Sequence, residues 1–260
     1  MKILVTGLRG TVGRALEAQL RGDGHEVVGW DRAAVPIDHY DAMDRFVAAT
    51  APDAIVNLAI ASRPTGRERE SWLVNHDWPS ELAWICRQRE IRFLHTSTAM
   101  VFSSSATGPF TLSSIPDAAE GYGHEKRLAE ARVFHQNPAA IVARIGWQIG
   151  DAPGSNNMID YLDRQSREHG HVAASSRWLP ACSFLPDTAA ALARALTAPP
   201  GLYQLDANER HTMLDIARAL SAHHGGRWRI VESIHPQQDQ RLLDPRLAVT
   251  PLARRLPALA

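Results

Sequence analysis

Three glycines, Gly7, Gly10 and Gly13, stand directly after a short β-rich run, Lys2–Thr6, and at the mouth of a helical pattern. A Gly-x-x-Gly-x-x-Gly turn between strand and helix predicts the first βα unit of an α/β chain. The first glycine permits a tight turn, the second lets the backbone approach a pyrophosphate, and the third lets helix and strand pack closely. The N–H groups and dipole at a helix N-terminus suit the phosphates. Thr11 and Val12, lying between the second and third glycines, are assigned to the same ligand.

The pattern set by that turn continues. Val12–Arg21 has apolar residues at helical spacing, Glu26–Trp30 reads as a strand, Tyr40–Ala49 as a helix and Ala54–Ala59 as a strand. Trp72–Arg89 reads as a long helix, Arg92–Ser97 as a strand, Gly123–His135 as a helix and Ile141–Ile145 as a strand. This alternation predicts a Rossmann-type, doubly wound parallel sheet with helices on both faces. Beyond Gly150 the rhythm loosens. Helices are expected over Asn157–His169, Asp187–Ala198 and Thr212–His223, with a strand over Arg229–Ser233. The expected layout is a large nucleotide-binding domain, 1–150 plus 183–198, and a small discontinuous C-terminal substrate lobe, 151–182 plus 199–260. In such sheets ligands bind in the crevice at the strand ends.

Composition narrows the partners. The chain has 28 basic and 28 acidic side chains, so no net charge directs it to nucleic acid or an anionic membrane. The apolar start of MKILVTGLRG is too short for a signal peptide or a span. Cys86 and Cys182 have neither disulfide-framework nor zinc spacing, and the histidines show no ligand motif, so no metal is expected. These features point to a cytoplasmic protein acting on a small molecule.

Asp31 ends the second strand, where an acidic residue accepts the adenosine ribose hydroxyls and suits NAD. Arg32 follows it and Arg9 lies inside the glycine turn; two guanidiniums at that end suit the 2′-phosphate of NADP. NADP(H) is therefore favoured and NAD(H) remains open. Asp38, after a short third strand, can accept from the adenine amino group or serve as a helix N-cap or turn residue.

Tyr122 and Lys126 form a Tyr-x-x-x-Lys pair on one helix face. A phenol is a poor acid–base catalyst near neutrality, and an ammonium one turn away is expected to pull its pKa down. Tyr122 would then protonate a carbonyl oxygen as hydride reaches carbon, with Lys126 also holding the nicotinamide ribose. Thr98, placed just after the strand Arg92–Ser97, offers a hydroxyl to orient that carbonyl.

TGLRGTVG, PDAIVNLA, HTSTAMVF, YGHEK and ARIGW together resemble the extended short-chain dehydrogenase/reductase superfamily, and within it the dTDP-4-dehydrorhamnose reductase branch, over roughly residues 1–205. That branch reduces the 4-keto group of a nucleotide-linked 6-deoxysugar. The resemblance implies that Thr98, Tyr122 and Lys126 are its catalytic triad and that Leu58, Ala59 and Ala61 pass the cofactor. It implies that Arg9 and Arg32 match the pair meeting the 2′-phosphate in GDP-fucose synthases, and that Trp147 and Asn157 line the sugar-nucleotide cleft. Ala99-Met100 replaces the branch's usual Asp-Tyr, and the loop 62–70 lacks its usual residues. Neither Ala99 nor Met100 can supply the acids that eliminating or epimerising relatives carry there, which favours plain reduction.

Trp147 sits at a strand's C-terminal end, facing ligand or core, and Trp178 is a second candidate for the substrate wall. Arg144, inside a strand, is expected in a buried ion pair. Arg177, Arg241 and Arg246 are either solvated or directed at a diphosphate. Trp72, Trp78 and Trp84 lie at spacings of six on one helix, either packed in the core or forming part of a homodimer face. Three functions compete: a reductase of a nucleotide-linked keto sugar, a reductase of an unlinked ketone, and a non-catalytic NADP-binding regulatory subunit. An epimerase with tightly held NAD is disfavoured by Ala99.

Overall fold

A computed structural model describes residues 1–62, 65–151 and 157–260. Arg63 and Pro64, within the loop 62–70 noted above, lie outside the described residues. In chain order the elements are β1 (Lys2–Thr6), α1 (Thr11–Gly22), β2 (Glu26–Gly29), α2 (Tyr40–Thr50), β3 (Ala54–Asn57), α3 (Glu70–Trp72), α4 (Trp78–Gln88), β4 (Arg92–Thr98), α5 (Gly121–Gln136), β5 (Ile141–Ile145) and β6 (Trp147–Ile149). They continue with α6 (Met158–His169), β7 (Val172–Ser175), β8 (Trp178–Leu179), β9 (Cys182–Phe184), α7 (Leu185–Ala195), β10 (Gly201–Leu205), α8 (Met213–His223), β11 (Ile230–Ser233), β12 (Gln238–Asp239) and α9 (Leu252–Arg255). Between α3 and α4, Leu73–Asp77 is wound as a π-helix, so the expected long helix is one run with an internal change of pitch.

The expected strand ahead of Asp38 is absent. Residues 31–39 form turns: Asp31 Oδ1 accepts from the Ala33 N–H at 2.9 Å, and the Asp31 carbonyl from that of Val35 at 2.9 Å. A carboxylate that caps its own turn, followed by Pro36 with no N–H to give, explains why no ladder forms. Strands β6 to β9, of two to four residues each, are too short for an alternation to be read from sequence.

The chain forms two compact units. The first gathers Met1–Ser103, Pro116–Arg144 and Leu192–Tyr203; the second gathers Ser104–Ile115, Ile145–Ala191 and Gln204–Ala260. In the first, a six-stranded sheet runs β10-β5-β4-β3-β1-β2. The pairs β1/β2, β1/β3 and β3/β4 are parallel. Because β2 and β3 flank β1 on opposite sides, the strand order reverses there and leaves a crevice beyond the ends of β1 and β3. Residues of β3 and nearly all of β4 are buried, as a sheet covered on both faces requires. Leu4, Ile55, Phe93, Trp78 and Met43 belong to one apolar cluster, with Trp30 edge-on to Trp78 at 5.5 Å.

Arg144 on β5 meets Glu130 on α5 through two hydrogen bonds, 2.9 and 2.7 Å, both groups buried. The ion pair expected for Arg144 is therefore present, and its guanidinium also lies over the Phe102 ring at 5.1 Å. In the second unit β6/β9, β7/β11 and β8/β12 form three parallel pairs. Asp206 is half-buried there and accepts from the N–H groups of Cys182, Asn208 and Leu242 at 3.0, 2.8 and 2.9 Å. Burial pushes its carboxyl up to about 7 against those hydrogen bonds. Among the described residues no helix is long and apolar enough to cross a membrane.

Removing one partner of a buried pair strands the other charge. Glu130→Leu is expected to cost about 3–5 kcal/mol in urea unfolding. Adding Arg144→Met should restore most of that loss. Equal stabilities of wild type and Glu130→Leu would contradict the pairing.

Candidate active site

The glycine turn is held by contact as much as by conformation. Gly7 has φ +70°, and a Cβ there would lie 2.9 Å from the Ala59 nitrogen and 3.0 Å from its Cα. A Cβ on Gly13 would lie 2.3 Å from the Gly7 carbonyl oxygen. The chain after β1 thus presses against the chain after β3, and α1 against the turn. A phosphate-bearing dinucleotide fits this arrangement, since backbone, not side chains, faces the crevice at the head of a helix. Thr11 opens α1, with Val12 next; Arg9 and Gly10 are exposed.

Behind the turn lies a transverse row of buried polar side chains. Thr6 is the register partner of Asn57, and Asn57 of His95. Asn57 Nδ2 donates to Thr6 Oγ1 at 3.0 Å, and Asn57 Oδ1 lies 2.8 Å from His95 Nδ1. His95 Nε2 lies 3.1 Å from Lys126 Nζ. Thr6 Oγ1 also accepts from the Ala59 N–H at 3.2 Å, and the Leu58 N–H donates to the Thr6 carbonyl at 3.3 Å. Three adjacent strands therefore carry one hydrogen-bonded chain from the glycine turn to the lysine. Burial keeps His95 neutral, its pKa well below the usual range, with the Lys126 charge adding to the effect.

Thr98 is the last residue of β4 rather than the first after it, because β4 extends one residue beyond the expected strand. Its Oγ1 accepts from the Met100 N–H at 3.2 Å, capping a short turn. A hydroxyl that accepts there still has its own hydrogen to donate. The start of α5 comes unusually close to that turn: a Cβ on Gly123 would lie 2.0 Å from the Met100 carbonyl oxygen. Gly123, the second residue of Tyr-x-x-x-Lys, is thus what lets Tyr122 approach the end of β4.

Tyr122 is half-buried, and its phenol sits above its usual pKa, through burial first and the Glu125 carboxylate second. The expectation that Lys126 depresses it is corrected here: the ammonium is directed at His95, and desolvation dominates at the phenol. Lys126 is itself almost fully buried and pushed down to about 7 by desolvation, opposed by Glu130 and Glu125. Glu125 accepts from Ser71 Oγ at 2.6 Å and Asn75 Nδ2 at 2.8 Å. Asn75, on the π-helical segment, also accepts from the Ala61 N–H at 3.1 Å. One buried amide therefore ties α5 to the stretch 58–61.

Beyond β2 a cavity of about 260 Å³ is lined by Arg32, Ala33, Ile37, Thr65, Arg67 and Glu70, among others. Arg32 pairs with Glu70 at 3.9 Å, and Asp38 pairs with Arg67, whose hydrogen bond holds the Asp38 carboxyl below its usual range. Asp38 is thus a turn residue held by Arg67 rather than the helix N-cap, since His39 occupies the cap position of α2. Trp147, Asn157 and Trp178 belong to the second unit. The two indoles stack at 6.1 Å with Tyr161 edge-on to Trp147 at 5.2 Å. Asn157 is buried and caps α6, its Oδ1 accepting from Ile159 and Asp160. Arg241 and Arg246 are bound to Asp239 and Asp244, at 2.6 and 2.7 Å.

The sequence reading passed over Asn57, His95, Asn75, Glu125, Arg67 and Gly123. Two of these had a legible mark, since Asn57 and His95 interrupt apolar runs of strands covered on both faces, where a polar group needs a partner. Gly123→Ala would drive α5 from the β4 turn. It is expected to leave a folded protein by circular dichroism while lowering any ketone reduction at least tenfold; unchanged turnover would show that the close approach is dispensable.

The family described as RmlD substrate binding domain matches residues 1–248. A dTDP-4-dehydrorhamnose reductase of Streptomyces griseus is 30% identical over 212 residues, covering 77% of this chain and 68% of that protein. A dTDP-4-keto-6-deoxy-D-glucose reductase of Streptomyces niveus is 34% identical over 151 residues, spanning 56% of this chain and about half, 52%, of its own length. The crystal structure of a Bacillus anthracis dTDP-4-dehydrorhamnose reductase with NADP superposes with a TM-score of 0.83 at 14% identity, covering 98% and 97% of the two chains. A Bordetella bronchiseptica enzyme, WbmH, solved with NAD+, has the same fold at a TM-score of 0.78 and 19% identity, with 99% and 96% covered. With its match running through residue 248 of 260, this chain belongs to the RmlD family of the extended short-chain dehydrogenase/reductases.

Proposed function

We propose that this protein reduces the 4-keto group of a nucleotide-linked 6-deoxysugar with NADPH. The observation that carries the reading is the close packing of Gly123 on Met100, which gathers Thr98, Tyr122 and the buried Lys126 in the unit that also holds the glycine turn. The nicotinamide cofactor, when bound, supplies the hydride. Thr98 donates its hydroxyl hydrogen to the carbonyl oxygen and fixes its direction. Tyr122, whose phenol holds its proton firmly, gives it up as that oxygen gains charge. Lys126 presents an ammonium to the cofactor ribose and the developing charge.

Ala99 and Met100 supply no second acid, which supports reduction without elimination or epimerisation. Arg32 and Arg9 are assigned to the 2′-phosphate. The long Arg32–Glu70 pair lies half in solvent and holds Arg32 loosely, so the guanidinium can turn to a phosphate. NAD(H) is the alternative cofactor. Asp31 is assigned to the adenosine ribose, Asp38 to the adenine side, and Leu58, Ala59 and Ala61 to the cofactor's path. Trp147, Trp178 and Asn157 are assigned to substrate; the stacked indoles offer a flat apolar face suited to a base. The proposal extends to a cytoplasmic homodimer paired through α4 and α5, supported by the partly exposed Trp84 on α4. An unlinked ketone is the second reading, favoured by the exposed Met100 side chain beside Thr98. A regulatory subunit has no chemical need for a desolvated lysine next to a phenol.

NADPH consumption with nucleotide-linked and unlinked ketones separates the substrate readings. Tyr122→Phe is expected to lower turnover by about 10²–10⁴-fold with NADPH affinity nearly intact; retained turnover would remove Tyr122 as the acid. Arg32→Ala should weaken NADPH by about tenfold, or 1.4 kcal/mol, and NADH far less. Equal losses for both cofactors would reject the 2′-phosphate contact.

A further inference from the structure

We propose that His95 is the positioning residue for Lys126, a neutral imidazole locked by Asn57 as the acceptor that holds the ammonium in place. The inference rests on the reading of Lys126 as an ammonium beside the reacting carbonyl. Its geometry stands independently. Asn57 is the register neighbour of both Thr6 and His95, so its amide lies between them. Nδ2 donates to Thr6 Oγ1 at 3.0 Å, which turns Oδ1 toward His95 at 2.8 Å. Only an N–H at His95 Nδ1 can satisfy that carbonyl oxygen, because an unprotonated ring nitrogen facing it would set two acceptors together. Nε2 is then bare, and it faces Lys126 Nζ at 3.1 Å. Asn57 and His95 are fully buried and Lys126 almost so, hence no water competes for these positions.

An ammonium has three N–H groups. One is committed to His95, which fixes the direction of the remaining two. Glutamates of α5 add charge but no such direction: Glu130 is engaged by Arg144 on β5, and Glu125 by Ser71 and Asn75. The groups around Lys126 are therefore Tyr122, Glu125 and Glu130 of its own helix, Arg144 on β5 and His95 on β4. Of these, His95 faces Nζ with a ring nitrogen, Nε2, at 3.1 Å. Thr6 immediately precedes Gly7 and also holds the Ala59 N–H, so the same row aligns the cofactor turn and the lysine. A shift of either would be felt by the other.

The ammonium form is stabilised by an acceptor and destabilised by an apolar replacement. Lys126 is already pushed down to about 7, so turnover requiring its charge should be full below that pH and fall above it. In His95→Leu, both the falling limb of kcat and the ¹³Cε titration of Lys126 read by NMR should move down by about one pH unit, a roughly tenfold loss of kcat on that limb. His95→Gln, whose amide can accept from lysine and donate to Asn57, should return the midpoint toward the wild-type value. Long-range ¹H–¹⁵N spectra of the wild-type protein should show His95 neutral and protonated at Nδ1. An unmoved or raised Lys126 midpoint in folded His95→Leu, or an Nε2-protonated or charged His95, overturns the assignment. The NMR titration needs no turnover, so a protein that reduces none of the ketones would fail the reductase reading while still deciding the role of His95.

Discussion

The Gly7 carbonyl oxygen occupies the space that a side chain at position 13 would fill, and Gly7 itself lies against the backbone of Ala59. These contacts bring the ends of β1, β3 and α1 within backbone distance of one another. Everything at the crevice is placed relative to them. The polar row from Thr6 to His95 depends on the resulting register, and Lys126 depends on the row. The same device recurs at Gly123, where loss of a Cβ lets α5 settle on the carbonyl of Met100. Close backbone approach, rather than flexibility, is what glycine contributes at these positions.

Desolvation sets the electrostatics of the triad. In water the ammonium would be the charged member and the phenol a weak acid. Here burial works against both charged forms, raising the phenol and lowering the ammonium. The two residues are thereby kept closer to neutral, with the proton on oxygen. That suits a group whose task is to protonate an alkoxide as it forms, since the driving force appears only when charge develops on the substrate. The buried polar row supplies directed hydrogen bonds without adding net charge, which a low-dielectric interior tolerates better than further ions.

Much of the first unit was legible in the chain. Helical and strand periods marked β1, α1 and β5 to within a residue, as they did α6 of the second unit, and the glycine spacing marked the crevice. The ion pair of Arg144 followed from a charge set in an apolar strand. Legibility failed where structure is short or where polar groups satisfy themselves locally. Asp31 turning onto Ala33 replaced the short strand expected ahead of Asp38, and strands β6 to β9, of two to four residues each, carry no period, whereas β11 was legible. The π-helical segment was hidden because its apolar spacing still reads as helix, and it carries Asn75, which meets Ala61 and Glu125.

The amino-acid order by itself determined the α/β class, the glycine turn and the helical spacing of Tyr122 and Lys126, because each depends on residues within a few positions of one another. It did not determine which groups those side chains meet. Lys126 finds His95 across 31 residues, His95 finds Asn57 across 38, and Asn57 finds Thr6 across 51. Such pairings are set by strand register and by how much water the packed sheet and helix exclude. Only the assembled fold decides either of these, and with them the charge of the groups that do the chemistry.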